Sequence, residues 1–210
     1  MSRITFNFKL EKLVHALAYF AKNGVRNLTK LKAAKLLYFA DKEHLLRHGR
    51  PILGDVYFCL PYGPVPSLAL NEMSDAIAAP EVEDEDRSLF KRVLKVHKPW
   101  FAEHPVFQSK SFDPDVFSES ELEILGEISK KYGQFTAGQL VDLTHKEPTW
   151  TIANEARTPE GRAPIPYELF FVGASPQAQQ MLEVLQSEHE ERKELDSILE
   201  SKATRPTAHA

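Results

Sequence analysis

Apolar residues recur with helical spacing along most of the chain. Between residues 7 and 22 they occupy Leu10, Leu13, Val14 and Leu17, a spacing of three and four that predicts an amphipathic helix. The centre of the next helix, AAKLLYFA, is apolar on nearly every side, which is typical of a helix inside a protein. The predicted helices cover approximately residues 7–22, 29–48, 67–79, 118–132 and 136–145, and a last one begins after 176.

The ends of these helices carry recognisable signals. Gly49 follows the second helix, and Pro51 prevents its continuation, so Gly49 is predicted as a left-handed C-terminal stop. Ser67 precedes an apolar stretch and is predicted to cap the third helix. Two capping boxes are predicted, formed by Ser118 with Glu121 and by Thr136 with Gln139.

Three short segments have strand character. Residues 54–60, 93–97 and 106–112 are rich in β-forming residues and are bounded by glycine or proline. The acidic run at 81–86 and the proline-rich segment after Trp150 are interpreted as loops. The predicted fold class is therefore mainly α with a small antiparallel β-sheet (α+β), a helical bundle with about three short strands on one side.

The C-terminal part differs from the rest of the chain. We predict one domain over residues 1–175, followed over 176–210 by a highly charged helix and a disordered tail. The apolar line of this helix is thin, which favours a solvated helix over a coiled coil. Contact of this helix with a partner remains an alternative.

Composition narrows the protein class. The chain has 210 residues, of which 42% are hydrophobic, and a formal net charge of −4, as expected for a soluble globular protein. Cys59 is the only cysteine, so no disulfide can form within the chain, and its place in a strand predicts a small buried apolar residue. No signal peptide and no membrane span are predicted, and the expected location is the cytoplasm.

Positive charge is concentrated near the N-terminus. Residues 1–50 carry 11 Lys and Arg against 3 Asp and Glu, whereas the other 160 residues carry 15 against 27. One interpretation is that these are solvated lysines on two amphipathic helices. The other is that the basic part meets an acidic protein or a nucleic acid.

Sequence signatures of catalysis are missing. The chain contains no GxxxxGK[ST] or GxGxxG loop, and Ser67 lies outside any GxSxG elbow. We therefore predict no enzymatic activity and no cofactor. One alternative is a metal-dependent enzyme, because Asp41, His44 and His48 share one helix face and are residue types that bind zinc or iron.

A second alternative is a DNA-binding autorepressor. The start of the second helix is basic, with Lys30, Lys32 and Lys35. A recognition helix has to lie in a groove and present polar side chains to base edges. The apolar centre of this helix argues against that role, so nucleic acid is not the expected partner.

Two blocks of sequence resemble a known family. Residues 35–67 read KLLYFADKEHLLRHGRPILGDVYFCLPYGPVPS, and downstream Leu140, Leu143-Thr144-His145 and Pro148-x-Trp150 follow. Both blocks, in this order and spacing, resemble the Panacea (SocA-like) antitoxin domain, a family that includes phage-associated GepA-like proteins. The resemblance covers residues 8 to about 155.

The resemblance implies a bacterial antitoxin. Members of this family neutralise a cognate protein toxin by direct contact, usually from a two-gene operon. The resemblance also implies a second mode, in which the antitoxin delivers its toxin to an AAA+ protease such as ClpXP. Within the matched blocks the expected partner-binding residues are Asp41, Arg50, Tyr62, His145 and Trp150. Trp150 is also expected to pack over the bundle with its N–H near a polar partner.

Overall fold

The computed structural model describes residues 3–78, 85–100, 102–158 and 161–203, and for 200–203 the backbone alone. The helices are Leu10–Lys22 (α1), Lys30–His48 (α2), Ser67–Ala78 (α3), Glu85–Val93 (α4), Glu119–Tyr132 (α5), Ala137–Thr144 (α6), Pro148–Glu155 (α7) and Pro176–Ala203 (α8). The strands are Tyr57–Leu60 (β1), Gly63–Pro66 (β2), Leu94–His97 (β3), Val106–Ser109 (β4) and Ala163–Ile165 (β5). The predicted fold class, mainly α with small antiparallel sheets, is confirmed.

The strands form two separate sheets rather than the single sheet expected from the sequence. In the first, β1 is central and pairs antiparallel with β2 on one side and with β5 on the other. In the second, β3 pairs antiparallel with β4. The strands predicted at 93–97 and 106–112 thus pair with each other and not with β1.

Helix α2 lies at the centre of the fold. Its middle is buried on all sides, and it contacts α3, α5, α6, β2 and α8. The ring of Tyr38 is fully buried and lies edge-on to Tyr57 and Phe170. Lys32 and Lys35 are also buried, with 2% and 0% of their surface exposed, so the interpretation of these two residues as solvated lysines is wrong.

Three of the four predicted helix ends are present. Ser118 and Glu121 form a capping box at the start of α5, and Thr136 and Gln139 form another at the start of α6. Gly49 ends α2 with a positive φ of 70°, the left-handed conformation that favours glycine.

Four elements were not expected from the sequence. Strand β2 lies where a turn was expected, and α4 begins at Glu85 within the acidic run interpreted as a loop. The segment that begins at Pro148 forms α7, and β5 lies within the proline-rich segment. The predicted loop at 81–84 and the predicted disordered tail at 204–210 lie outside the described residues.

Helix α3 is capped by a side chain from another part of the chain. Asp55 is buried, and its carboxylate accepts hydrogen bonds from the backbone N–H groups of Val56 (2.6 Å), Leu68 (2.9 Å) and Ala69 (2.7 Å). Ser67 is instead the first helical residue. The expected Ser67 cap is therefore corrected to Asp55, whose negative charge also complements the positive end of the helix dipole.

Removing this cap is expected to destabilise the protein. In the Asp55→Ala variant, N–H groups at the start of α3 lose their acceptor in a buried place, so the free energy of unfolding should fall by about 2–3 kcal/mol. Urea denaturation followed by circular dichroism measures the change. Asp142→Ala, which removes an exposed carboxylate, is the control and should change the value by less than about 0.5 kcal/mol. An equal loss in both variants would contradict the capping role.

Helix α8 packs against the domain with its first half only. Ala178 is buried, and Met181, Leu182 and Leu185 contact the core, with the sulfur of Met181 close to Gly49. Farther along, Leu195 and Leu199 are exposed. Among the residues described, no helix has the length and apolarity needed to cross a membrane.

Candidate partner-binding surface

The tip of the β1–β2 hairpin presents an exposed aromatic ring. Leu60 and Gly63 face each other in the register, so Pro61 and Tyr62 form a two-residue turn. Gly63 has a φ of 96°, a conformation that glycine adopts without strain. Tyr62 is 67% exposed, so its ring is available to a partner.

Behind the turn, His145 and Trp150 form a stacked pair. Their ring centroids are 4.0 Å apart and the ring planes differ by 20°. The indole Nε1 of Trp150 donates to the carbonyl of Leu60 at 3.1 Å, which confirms the expected polar partner for this N–H. The stack is thereby fixed to the end of β1, next to the Pro61–Tyr62 turn. We call Tyr62, His145 and Trp150 together the hairpin-tip surface.

The imidazole of His145 is partly shielded from solvent. Burial, followed by the charge of Lys35, lowers the pKa of its imidazole, although a hydrogen bond with the backbone of Pro61 opposes the shift. Its Nε2 atom is buried without a hydrogen-bond partner among the described residues. At neutral pH the lowered pKa favours the neutral form of this ring.

A buried lysine supports the hairpin from below. Lys35 is fully buried, and its Nζ donates to the carbonyl of Pro64 at 2.8 Å. A Cβ on Gly63 would lie 2.8 Å from this Nζ and would also collide with Thr144, so only glycine fits here. Burial lowers the pKa of Lys35 to about 7, with the nearby Cys59 opposing the shift.

Cys59 is buried, as predicted. It is 0% exposed, and its Sγ lies 4.0 Å from the carbonyl oxygen of Trp150 and 3.9 Å from Oδ1 of Asn154. Burial raises the pKa of this thiol, which disfavours the reactive thiolate. Its contacts join β1 to α7, the helix that carries Trp150.

The other two expected contact residues lie elsewhere. Arg50 is exposed beyond the C-terminal end of α2, and its Nη2 is 3.4 Å from Oγ of Ser118. Asp41 is fully buried, and its two oxygens accept hydrogen bonds from the N–H of Leu53 (2.8 Å) and the hydroxyl of Tyr57 (3.0 Å). Asp41 thus holds the loop that leads to β1 and is inaccessible to a partner.

The histidines considered for a metal site are engaged in the fold. Nδ1 of His44 is 2.6 Å from the carbonyl of Arg50, and Nε2 is 3.1 Å from Oγ of Ser120. His48 lies against the His44 ring, with centroids 4.6 Å apart. Within the described part of the chain, no three His, Cys, Asp or Glu residues are placed to hold a metal ion, and both oxygens of Asp41 already have partners.

The geometry of α2 also bears on DNA binding. Nζ of Lys32 donates to the carbonyls of Arg26 (2.6 Å) and Gly133 (2.8 Å), and Nζ of Lys30 donates to Oγ of Ser74. Lys32 and Lys35 are buried within the domain and cannot reach phosphates, so α2 does not present a basic recognition face.

Sequence reasoning missed the supporting role of Lys35. The signal was available, because a lysine in a helix that is apolar on every side has to be buried with it. The partner of its ammonium group, the Pro64 carbonyl, could not be foreseen, because β2 was interpreted as a turn.

One comparison with known proteins gives a match. A family model described as "Antitoxin SocA-like, Panacea domain" matches residues 34–151, more than half of the chain. The matched span runs from α2 into α7, and it contains Lys35 and the whole hairpin-tip surface. Neither the curated proteins nor the solved structures gave a match.

Proposed function

Because this chain belongs to the SocA-like antitoxin family with a Panacea domain, we propose that it is an antitoxin that neutralises a cognate protein toxin by direct contact. The observation that carries this proposal is the family match itself. Membership in an antitoxin-like family favours a binding role over an enzymatic one. The expected partner is a protein.

We assign toxin binding to the hairpin-tip surface. An exposed tyrosine offers a large apolar ring and a hydroxyl, which is why tyrosines are enriched among the residues that dominate binding energy. A short hairpin supported from behind loses little conformational entropy when a partner binds. Tyr62 meets both conditions, since Trp150 is bonded to the end of β1 and Lys35 to β2.

Co-expression tests the antitoxin role. A short reading frame next to this gene is the candidate toxin, and its expression should stop growth unless this protein is expressed with it. The two proteins should also co-purify. If the neighbouring product is harmless alone and does not bind, the proposed function is wrong.

Replacing Tyr62 tests the surface. The Tyr62→Ala variant should bind the purified toxin at least about tenfold more weakly, roughly 1.4 kcal/mol, because the ring is lost without disturbing the core. Isothermal titration calorimetry measures the affinity. The control is Trp100→Ala, which removes a ring that is 94% exposed next to the other sheet. Equal affinities for Tyr62→Ala and wild type would rule out this surface but not the antitoxin role.

The mode of neutralisation needs a separate measurement. The family resemblance implies either simple masking of the toxin or its delivery to an AAA+ protease such as ClpXP. The lifetime of the toxin in cells that contain this protein, with and without the protease, distinguishes them. A lifetime that does not depend on the protease indicates masking.

A further inference from the structure

A second surface, away from the hairpin tip, forms a cationic cleft. Its volume is about 530 Å³. It lies between the N-terminal segment, the loop after α2 and the charged half of α8. The cationic cleft is lined by Thr5, Phe6, Asn7, Lys9, Arg50, Pro51, Gly54, His189, Arg192, Lys193 and Asp196. Most of these residues lie outside the span matched by the family model.

The first wall of the cleft is an extended segment that the fold holds in place. At one end the N–H of Ile4 donates to Oε1 of Glu168 at 2.9 Å, and at the other the N–H of Lys9 donates to the carbonyl of Leu53 at 3.0 Å. Gly54 lies against the backbone of this segment so closely that a Cβ would overlap it. The wall is therefore preformed.

The exposed side chains of this segment occupy every second position, and the half-buried Phe6 between them also lines the cleft. Ile4 is buried, whereas Thr5, Asn7 and Lys9 are exposed and line the cleft. This is the two-residue period of a strand, with about 6.6–6.8 Å between successive exposed side chains. The backbone N–H groups of Thr5 and Asn7 have no hydrogen-bond partner within the described residues.

Cations predominate among the residues that line the cleft. Lys9, Arg50, Arg192 and Lys193 line it together with one acid, Asp196, and none of the four forms an ion pair with a described residue. The chain as a whole carries a net charge of −4, so this concentration is local. Burial and the charges of Lys12 and Arg50 lower the pKa of Lys9, although nearby acids oppose the shift.

A polar atom in the cleft also lacks a partner. Nε2 of His189 is buried without a hydrogen bond to any described residue. A buried nitrogen of this kind normally bonds to something. Together with the free backbone N–H groups and the unpaired cations, it points to a ligand that supplies acceptors and negative charge.

We propose that the cationic cleft binds an extended, acidic peptide segment of a protein partner. Carboxylates spaced at every second residue of such a segment match the spacing of the exposed side chains of residues 5–9. Carbonyl groups of the segment can accept from the backbone N–H groups of Thr5 and Asn7, as in the addition of a strand to an exposed edge. The backbone N–H groups of Thr5 and Asn7 favour a peptide, whose carbonyl groups can pair with them as a strand does, over a nucleic acid, which binds chiefly through its phosphates.

Fluorescence anisotropy with the full chain tests this site independently of any toxin. The probe is a short labelled peptide of alternating Glu and Ser, and the matched peptide carries Gln in place of Glu. Wild-type protein should bind the Glu peptide and not the Gln peptide, and the affinity should fall as salt increases. Binding of both peptides with equal affinity, or of neither, would overturn the proposal.

Charge reversal locates the binding site. The double variant Arg192→Glu with Lys193→Glu should weaken binding of the Glu peptide by about tenfold or more. The control is Lys98→Glu with Lys130→Glu, which makes the same charge change at exposed positions outside the cleft, and it should change the affinity less than about threefold. Because all four positions are exposed, circular dichroism should show folded protein in each case.

Two results would assign the cleft differently. An equal loss in the control double variant would show that net charge, and not the cleft, governs binding. Tighter binding of a single-stranded oligonucleotide than of the Glu peptide, lost in the Arg192→Glu with Lys193→Glu variant, would make the cleft a nucleic-acid site. Either outcome overturns the proposal without affecting the antitoxin role, which growth rescue by the intact protein tests.

Discussion

The Lys35→Met variant is expected to be more stable than the wild type at pH 7, and this advantage should disappear by about pH 10. Burial lowers the pKa of Lys35 from 10.5 in the unfolded chain to about 7 in the fold. The folded protein therefore releases this proton more readily than the unfolded chain. The contribution of Lys35 to the free energy of unfolding is therefore fully present above pH 10.5. It decreases as the pH falls below 10.5 and is lost once the pH has fallen through 7.

The size of this effect follows from the two pKa values. Between pH 7 and pH 10 the wild type should gain about 4 kcal/mol relative to Lys35→Met. Methionine fills a similar volume without a charge, but it leaves the Pro64 carbonyl without its donor, at a cost of about 1 kcal/mol. Below pH 7 the removal of the buried charge outweighs that cost.

Denaturation in urea at several pH values measures the difference between the two proteins. Lys130→Met, at an exposed position of α5, is the control and should show the same pH dependence as the wild type. A difference between Lys35→Met and wild type that stays constant from pH 7 to pH 10 would contradict a lowered pKa. Because Lys35 lies under the hairpin, Lys35→Met should also be compared with Tyr62→Ala for toxin binding.

Several helix ends could be predicted because the sequence signals for them are local. A capping box needs only a serine or threonine and a Glu or Gln three residues later, and both predicted boxes formed, at Ser118 and Thr136. A glycine followed by proline is a local stop signal, and Gly49 took the expected conformation. Such signals lie within one turn of chain and do not depend on the rest of the fold.

The strands depend on distant partners, and here sequence reasoning failed. Pro64 and Pro66 normally argue against a strand, yet β2 lies at a sheet edge, where a proline need not donate to a neighbour. Strand β5 pairs with β1 from about a hundred residues away. Its Ala163-Pro164-Ile165 sequence gives no signal by itself. Helix α7 was not predicted, although Pro148 stands at its first helical position, where proline is favoured.

Three of the five residues that the sequence predicted to bind a partner lie together at the hairpin tip. Tyr62, His145 and Trp150 were singled out from the two family blocks, and the fold brings them to the same hairpin. Asp41 was singled out with them, because a charged residue in a motif suggests contact with a partner. Its position in a helix buried on every side indicated the opposite. The sequence predicted that α2 is buried. A charged residue in such a helix is buried with it and needs partners inside the fold, as Asp41 and Lys35 have.

Asp41 carries the second large expected effect, with the opposite dependence on pH. Its carboxyl is fully buried, and burial raises its pKa from 3.8 to about 7, although bonds from Leu53 and Tyr57 oppose the shift. The folded protein therefore keeps this proton to higher pH than the unfolded chain. Stability from Asp41 is present below pH 3.8 and is lost as the pH rises through 7. Relative to a variant without the titration, the loss amounts to about 4 kcal/mol.

The Asp41→Asn variant should remove this dependence. An asparagine oxygen can still accept from the N–H of Leu53, and its NH₂ group can donate to the hydroxyl oxygen of Tyr57, so the bonds of the neutral acid are kept. Between pH 4 and pH 8 the variant should therefore gain steadily on the wild type in urea denaturation. The Asp41→Ala variant serves as the contrast, because it leaves both partners unsatisfied and should be less stable than Asp41→Asn at every pH. If Asp41→Asn and wild type differ by the same amount at pH 4 and pH 8, the carboxyl titrates normally. Its burial would then be offset by its hydrogen bonds.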